Sequence, residues 1–413
     1  MRGGAPLRGA VRVSGAKNSA LKLMAAALLT DEPVTISELP MIADVPMMAG
    51  VLQGLGVDVT LDQATVTIQA RTPQSHAPRD AVMRLRASIA CLGPLVGRLG
   101  RAQIAFPGGD RIGARTIDLH LRGLELMGAT VKENNDEVRV SVDRLNGAMI
   151  TLDFPSVGAT ENLMMAAVLA DGVTVIENAA REPEIQDLAR MLVSMGAHIG
   201  GIGTPTIRIT GVEALSGTTW VTCPDRIEAG TYMIAAAITG GDIELTNVAP
   251  ADLTLPFMKL RAAGITITEG VSSVRVSAGQ LAATNVVTLP YPGFPTDLQP
   301  QMMVLLSQAV GDSRCTENVF ESRFSFVNEL RALGADITLD GHHAVIHGPT
   351  ELAGTTLAGL DIRAGAAGVL AGLVASGETV VKDVHHIDRG YAQFVPQLQA
   401  LGAQIRRVSS KSL

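Results

Sequence analysis

The chain of 413 residues is two to three times the usual domain size, so it should form at least two domains with sizeable cores. Apolar residues make up 47% and charged residues 18%, which excludes a disordered chain; 33 basic against 40 acidic residues give a net charge of −7, which argues against a nucleic-acid binder. Aromatics are only 3%, so Ala, Val, Leu, Ile and Met must fill the core while 43 glycines punctuate short elements, a composition of the α/β or α+β class.

Arg2, Arg8 and Arg12 precede an apolar run at 20–29, but Lys22 interrupts it and Thr30-Asp31-Glu32-Pro33 follows, so it does not read as a secretory signal. The weakly apolar stretch 364–377 is too short and glycine-rich to span a bilayer, and the expected location is the cytoplasm. Cys91, Cys223 and Cys315 are far apart without CxxC spacing, which predicts a reducing compartment, no structural zinc and three small buried hydrophobes.

Along the chain, a phrase Leu-x-x-apolar-Gly-(Ala/Val/Ile) recurs six times. Its glycines are Gly56, Gly128, Gly196, Gly264, Gly334 and Gly402, spaced by 72, 68, 68, 70 and 68 residues. Each phrase reads as the last turn of a helix closed by a glycine at positive φ. Period-2 alternation around a polar turn follows most of them, as in Ala129-Thr-Val-Lys-Glu, Asn134-Asn135-Asp136 and Glu137-Val-Arg-Val-Ser-Val, which predicts hairpins. Second strands are expected at Val34-Thr-Ile, Ala102-Gln-Ile-Ala, Val173-Thr-Val-Ile, Asp242-Ile-Glu-Leu, Ser313-Arg-Cys-Thr and Thr379-Val-Val. The unit is β-α-β-α-β-β, six times over. It favours two globular domains of three units each, 17–222 and 1–16 with 223–413, with a crossover near Trp220–Pro224. The last unit stops one strand short, and the segment around Val11 is expected to supply a strand to that half.

Aligned on their glycines, the loops that open the first helices read Ser14-Gly-Ala-Lys17-Asn18, Arg84-Leu-Arg86-Ala-Ser88, Pro155-Ser156-Val157-Gly158, Pro224-Asp225-Arg226, Phe294-Pro-Thr296-Asp297 and Asp361-Ile-Arg363. Helix N-termini suit anions, and four of the six loops add Lys or Arg; two domains facing each other through these ends would hold a strongly anionic ligand. A second set of loops carries Pro107-Gly108-Gly109-Asp110-Arg111-Ile-Gly-Ala-Arg115, Phe320-Glu321-Ser322-Arg323 and His385-His386-Ile387-Asp388-Arg389. Glycines let backbone approach a ligand and arginines fork onto phosphate or carboxylate. Any one of these groups alone is as well explained as a cap, a turn or a surface charge; recurrence at matching positions is what points to a site. The paired histidines lack cysteine partners and make a poor metal site, and no Walker or Rossmann fingerprint is present.

Together these phrases resemble the enolpyruvyl transferases along nearly the whole chain. The match rests on Ser14-Gly-Ala-Lys-Asn, Leu85-Arg-Ala-Ser, Pro107-Gly-Gly-x-x-Ile-Gly-x-Arg115, Pro155-Ser-Val-Gly-Ala-Thr-Glu-Asn, Pro224-Asp-Arg-Ile-Glu-Ala-Gly-Thr, Gly293-Phe-Pro-Thr-Asp297, Phe320-Glu-Ser-Arg-Phe and His386-Ile-Asp-Arg-Gly-Tyr. The Gly-Ser-Lys-Ser and Gly-Asn-Ala-Gly-Thr loops expected of the branch acting on shikimate 3-phosphate are absent. The resemblance implies two inside-out α/β domains and transfer of the enolpyruvyl group of phosphoenolpyruvate to the 3′-hydroxyl of UDP-N-acetylglucosamine. That is the first committed step of peptidoglycan synthesis, and it implies a link to cell-wall growth and division with no metal or cofactor.

By the same resemblance, Lys17, Asn18, Arg86, Arg115, Arg363 and Arg389 match the phosphoenolpyruvate-binding set, with Arg323 a further cleft arginine. Asp118, Leu119, Ser156, Val157, Gly158 and Val319, together with Arg86, Arg115 and Asp297, match positions for the nucleotide sugar. Asp297 matches the carboxylate facing the 3′-hydroxyl; it is grouped with Lys17, Arg389 and Asp110 as catalytic. The chain departs from the family at Thr116-Ile117, where Pro-Val is common, at Phe154, where some relatives carry lysine, and at Asp110, where many carry a reactive cysteine. Asp110 in that place implies insensitivity to fosfomycin, which alkylates the thiol. Two alternatives stay open, a transferase for another nucleotide acceptor and a non-catalytic paralogue that binds the nucleotide sugar.

Overall fold

All six glycines of the repeated phrase adopt positive φ, between 78° and 108°, in a computed structural model that describes residues 1–108, 112–113 and 116–408. In each, the glycine N–H donates three residues back, and the next N–H donates to the leucine that begins the phrase, at 2.9–3.1 Å. Val57 to Leu52, Ile265 to Leu260 and Ala403 to Leu398 are examples. This is the double closure of a helix end that only a left-handed residue permits, and both apolar partners are buried. At Gly264 a side chain is barred twice, because a Cβ would also lie 2.1 Å from the Gln280 carbonyl oxygen.

Four sheets share one strand order. A first strand runs parallel to the second, the returning hairpin strand pairs antiparallel on its other side, and the outgoing hairpin strand forms the edge. The six second strands are Val34–Ser37, Arg101–Ala105, Val173–Glu177, Asp242–Thr246, Gly311–Thr316 and Val380–Lys382. In the second repeat the first strand shrinks to a parallel bridge from His76 to Gln103.

The strands that open repeats one and four cross over. Arg8–Arg12 precedes the first helix of repeat one but pairs in parallel with Asp242–Thr246 of repeat four, Val11 opposite Leu245. Thr218–Val221 precedes the first helix of repeat four but pairs with Val34–Ser37 of repeat one, Trp220 opposite Ile36. The two repeats have exchanged first strands. The segment around Val11 therefore does serve the second half, at the fourth repeat. Beside the last repeat Arg2 bridges both Glu378 and Gln404, taking the returning-strand position that the sequence lacks there.

Two compact units result. One comprises Met1–Ser14, Arg111–Ala114 and Pro224–Leu413, the other Gly15–Asp110 and Arg115–Cys223. In the first, Arg226–Ile238, Gln299–Ser307 and Ile362–Gly372 form the centre; every residue of the last two helices is buried, as is all but Arg226 of the first. Helices apolar on all sides belong inside a core. The sheets lie outside them with alternating exposure, as in Thr206–Thr210 of the other unit. Among the described residues no helix is long and apolar enough to cross a membrane.

Candidate functional site

In the unit that contains Pro224–Leu413, the first-helix loops are fixed by caps that recur with the repeat. The Asp225 carboxylate accepts the Ile227 and Glu228 N–H groups at 2.8 and 2.9 Å, and Asp361 accepts those of Arg363 and Ala364 at 2.7 and 2.9 Å. The loop carrying Asp297 opens differently, with a 3₁₀ turn Thr296–Leu298 before the α-helix. Pro300 sits in the first turn of that helix, where a proline is tolerated; an α pattern extended upstream would set its ring against the Thr296 carbonyl.

Asp297 is gripped from both sides. Arg323 Nη2 donates to Oδ1 at 3.1 Å and Arg363 Nη2 to Oδ2 at 2.9 Å. Both guanidiniums are nearly inaccessible, 2% and 5% exposed at the side chain, whereas the carboxylate is 26% exposed. Burial works against the charge of Arg363, but Asp297, Tyr391 and Asp225 outweigh it and hold its pKa above the usual guanidinium range. The guanidinium lies 5.4 Å over the Tyr391 ring, and the Tyr391 hydroxyl is held by Thr231 at 3.0 Å and the Gln301 amide at 2.9 Å. Burial raises the pKa of that phenol as well. Arg389 ends the 3₁₀ turn Ile387–Arg389, half-buried, and a Cβ on the following Gly390 would stand 3.6 Å from Arg363 Nη1. Glu317, 4% exposed, accepts the Val319 and Phe320 N–H groups at 2.8 and 3.1 Å and the Thr296 hydroxyl at 3.0 Å. Asp297, Arg323 and Arg363 thus form one cluster, with Arg389 and Val319 attached to it by their neighbours.

In the unit that contains Gly15–Cys223, Lys17 begins the helix Lys17–Ala26, is buried, and pairs with Asp44 at 2.8 Å. Lys22 joins the Asn18 carbonyl, at 2.8 Å, to Glu161 at 3.3 Å. Arg86 starts a 3₁₀ turn, Arg86–Cys91, and its guanidinium lies 3.5 Å from the Pro107 carbonyl. Ser156 caps the helix Val157–Ala167 through the Ala159 N–H, so Val157 and Gly158 form its first turn. Asp118 and Leu119 start the helix Asp118–Leu126, Asp118 accepting the Thr116 hydroxyl. Asp110 and Arg115 lie outside the described residues. Phe154 is 41% exposed. Cys91 and Cys315 are buried thiols as expected, and Cys223 is only half-buried. No cluster of ligands suited to a metal occurs among the described residues.

His120 was missed by the sequence argument. It is 5% exposed between the Asp118–Leu126 helix and the first turn at Gly158. Burial first, and Arg86 second, push its pKa down to about 4 against the opposing pull of Asp118. The ordinary value is near 6.5, so between the two pH values the unfolded chain takes up a proton that the native chain does not, and stability falls on acidification. Glu161 and Glu228, pushed by burial up to about 7, act in the opposite sense: their contribution is complete below about pH 4.5 and fades as pH rises through 7. Comparing wild type with His120→Gln isolates the histidine. The stability deficit of the variant should be smaller at pH ~4.5 than at pH ~7, by about 2–3 kcal/mol. Urea unfolding that gave the same deficit at both pH values would contradict the assignment.

Comparison with known proteins follows the same lines. The family model described as EPSP synthase (3-phosphoshikimate 1-carboxyvinyltransferase) matches residues 1–398, and the chain belongs to that family. It is 53% identical over 410 residues to UDP-N-acetylglucosamine 1-carboxyvinyltransferase of Corynebacterium efficiens, covering 99% of this chain and 97% of that one. The protein of the same name from Magnetococcus marinus is 50% identical, over 99% and 98% of the two chains. Among solved structures, the enolpyruvyl transferase NikO from Streptomyces tendae matches with a TM-score of 0.89 at 27% identity, covering 98% of this chain and 97% of that one. EPSP synthase from Acinetobacter baumannii shares the fold, with a TM-score of 0.76 over 97% and 96% of the chains at 19% identity.

Proposed function

We propose that this chain transfers the enolpyruvyl group of phosphoenolpyruvate to the 3′-hydroxyl of UDP-N-acetylglucosamine, releasing phosphate. The observation that carries the reading is 53% identity, over 99% of the chain, to a transferase bearing that name. Enolpyruvyl transfer needs C2 of the enol attacked by the hydroxyl oxygen while C3 gains a proton. The tetrahedral adduct still holds its phosphate; C3 then gives up a proton, the C2–O bond to phosphate breaks, and phosphate leaves.

Lys17, Asn18, Arg86, Arg115, Arg363 and Arg389 hold the phosphate and carboxylate of phosphoenolpyruvate, preorganised charge that needs no rearrangement during the reaction. Support comes from the burial of Lys17 and Arg363, each already kept in place by a carboxylate. Capped by Ser156, Val157 and Gly158 turn the first N–H groups of a helix start toward the nucleotide sugar, together with Asp118, Leu119 and Val319. Asp297 orients the 3′-hydroxyl and accepts its proton, and Asp110 is the acid at C3. The expected setting is the cytoplasm, where peptidoglycan precursors are built for wall growth and division. Phosphate should appear when both substrates are mixed and with neither alone; a protein that binds the nucleotide sugar but never releases phosphate would be a non-catalytic paralogue.

The carboxylate at position 110 is a far weaker nucleophile toward an epoxide than a thiolate. Fosfomycin should therefore leave the enzyme active on prolonged incubation, while Asp110→Cys becomes inactivated with time, and mass spectrometry should find one adduct on the new thiol. Progressive inactivation of the unmodified enzyme would contradict this reading.

A further inference from the structure

A buried relay beside the proposed nucleotide-sugar loops fixes the proton of one imidazole. The Gly93 N–H donates to Asn162 Oδ1 at 2.6 Å, so the other end of that amide is the NH₂ group. Asn162 Nδ2 donates to the Ile89 carbonyl at 2.9 Å and meets His120 Nδ1 at 2.9 Å. Since Nδ2 can only donate, Nδ1 must accept, and a neutral ring carries its hydrogen on Nε2. Asn162 is 1% exposed and cannot turn over without abandoning Gly93 and Ile89. Gly93 itself admits no side chain, since a Cβ there would lie 2.1 Å from the Asn162 carbonyl oxygen.

The far edge of the ring meets the first turn of the Val157–Ala167 helix. His120 Cε1 and Nε2 both lie 3.2 Å from where a Cβ of Gly158 would be. Carried by the helix that Asp118 and Leu119 open, the imidazole therefore meets the Val157–Gly158 turn directly and reaches the Ile89–Gly93 stretch through Asn162. The Asp118–Leu119 helix start and the Val157–Gly158 turn are segments assigned above to the nucleotide sugar. A charged imidazole here would add a second cation to Arg86 and lose the bond from Asn162; a smaller neutral side chain would let the turn settle inward.

We propose that His120 is a positioning residue for the acceptor substrate, its neutral Nε2–H ring held by Gly93 and Asn162 so that the ring edge sets the height of the Val157–Gly158 turn. The inference rests on the functional reading given above and adds to it a specificity determinant that acts on one substrate only. His120→Asn keeps an acceptor for Asn162 but withdraws the ring edge from Gly158. It should raise KM for UDP-N-acetylglucosamine about tenfold, the equivalent of losing one ordinary contact. KM for phosphoenolpyruvate and kcat should stay within a factor of about two. On the unmodified protein at about pH 7, long-range ¹H–¹⁵N spectra should show His120 protonated at Nε2 and bare at Nδ1. A proton on Nδ1, a doubly protonated ring, or a KM change shared equally by both substrates would overturn the proposal. An unmodified protein that never consumes the nucleotide sugar, yet shows the expected ring-nitrogen spectrum, would instead overturn the functional reading and leave the relay itself standing.

Discussion

Asp110→Asn should cut turnover about 10²–10⁴-fold, the range a positioned proton donor contributes, while nucleotide-sugar binding survives. The chemistry demands that one group give a proton to C3 and take one back, and an amide can do neither. Arginines flank Asp110 in the sequence at 111 and 115, and a carboxyl among cations has its pKa lowered, which opposes a role as acid. The two anionic groups of phosphoenolpyruvate supply the compensating field, so protonation is tied to substrate binding. Near-normal turnover by the Asn variant would remove Asp110 from the mechanism.

Asp297→Asn should produce a loss of similar size, about 10²–10⁴-fold in turnover, with the dissociation constant of UDP-N-acetylglucosamine little changed. The amide keeps one acceptor for the paired arginines but cannot take the hydroxyl proton. Asp297→Ala is the less informative change, because it leaves Arg323 and Arg363 buried without their shared counter-ion. That should destabilise this unit by up to about 3 kcal/mol, since two guanidiniums lose the carboxylate between them. If the Asn variant lost binding and turnover in equal measure, Asp297 would be holding the arginines rather than serving the reaction.

The repeat was legible because its punctuation is local. A glycine needed at positive φ and a leucine four residues before it report one helix end, and six such ends at near-constant spacing report the architecture. Strand ownership was not legible. The repeat count pointed to a strand around Val11 serving the second half, but said nothing of its parallel partner, Asp242–Thr246, nor of the pairing of Thr218–Val221 with Val34–Ser37, both set by packing of distant segments. The site divided in the same way. Arg363, Arg323 and Asp297, which the structure brings into contact, were singled out because their loops recur or carry family phrases. The caps at Ser156, Asp225 and Asp361 were available to the same alignment, since each immediately precedes a first helix. Asp44 and His120 had no such signal: each matters through burial and through a partner distant in the chain, Lys17 and Asn162, neither of which spacing reveals.

The acceptor is the heart of the account, and one competition assay addresses it. With phosphoenolpyruvate, UDP-N-acetylglucosamine and shikimate 3-phosphate present together, the nucleotide sugar should be the only acceptor consumed. Its mass should rise by one enolpyruvyl group for each phosphate released. Phosphate release that tracks loss of shikimate 3-phosphate, or that leaves the nucleotide sugar untouched, would contradict it.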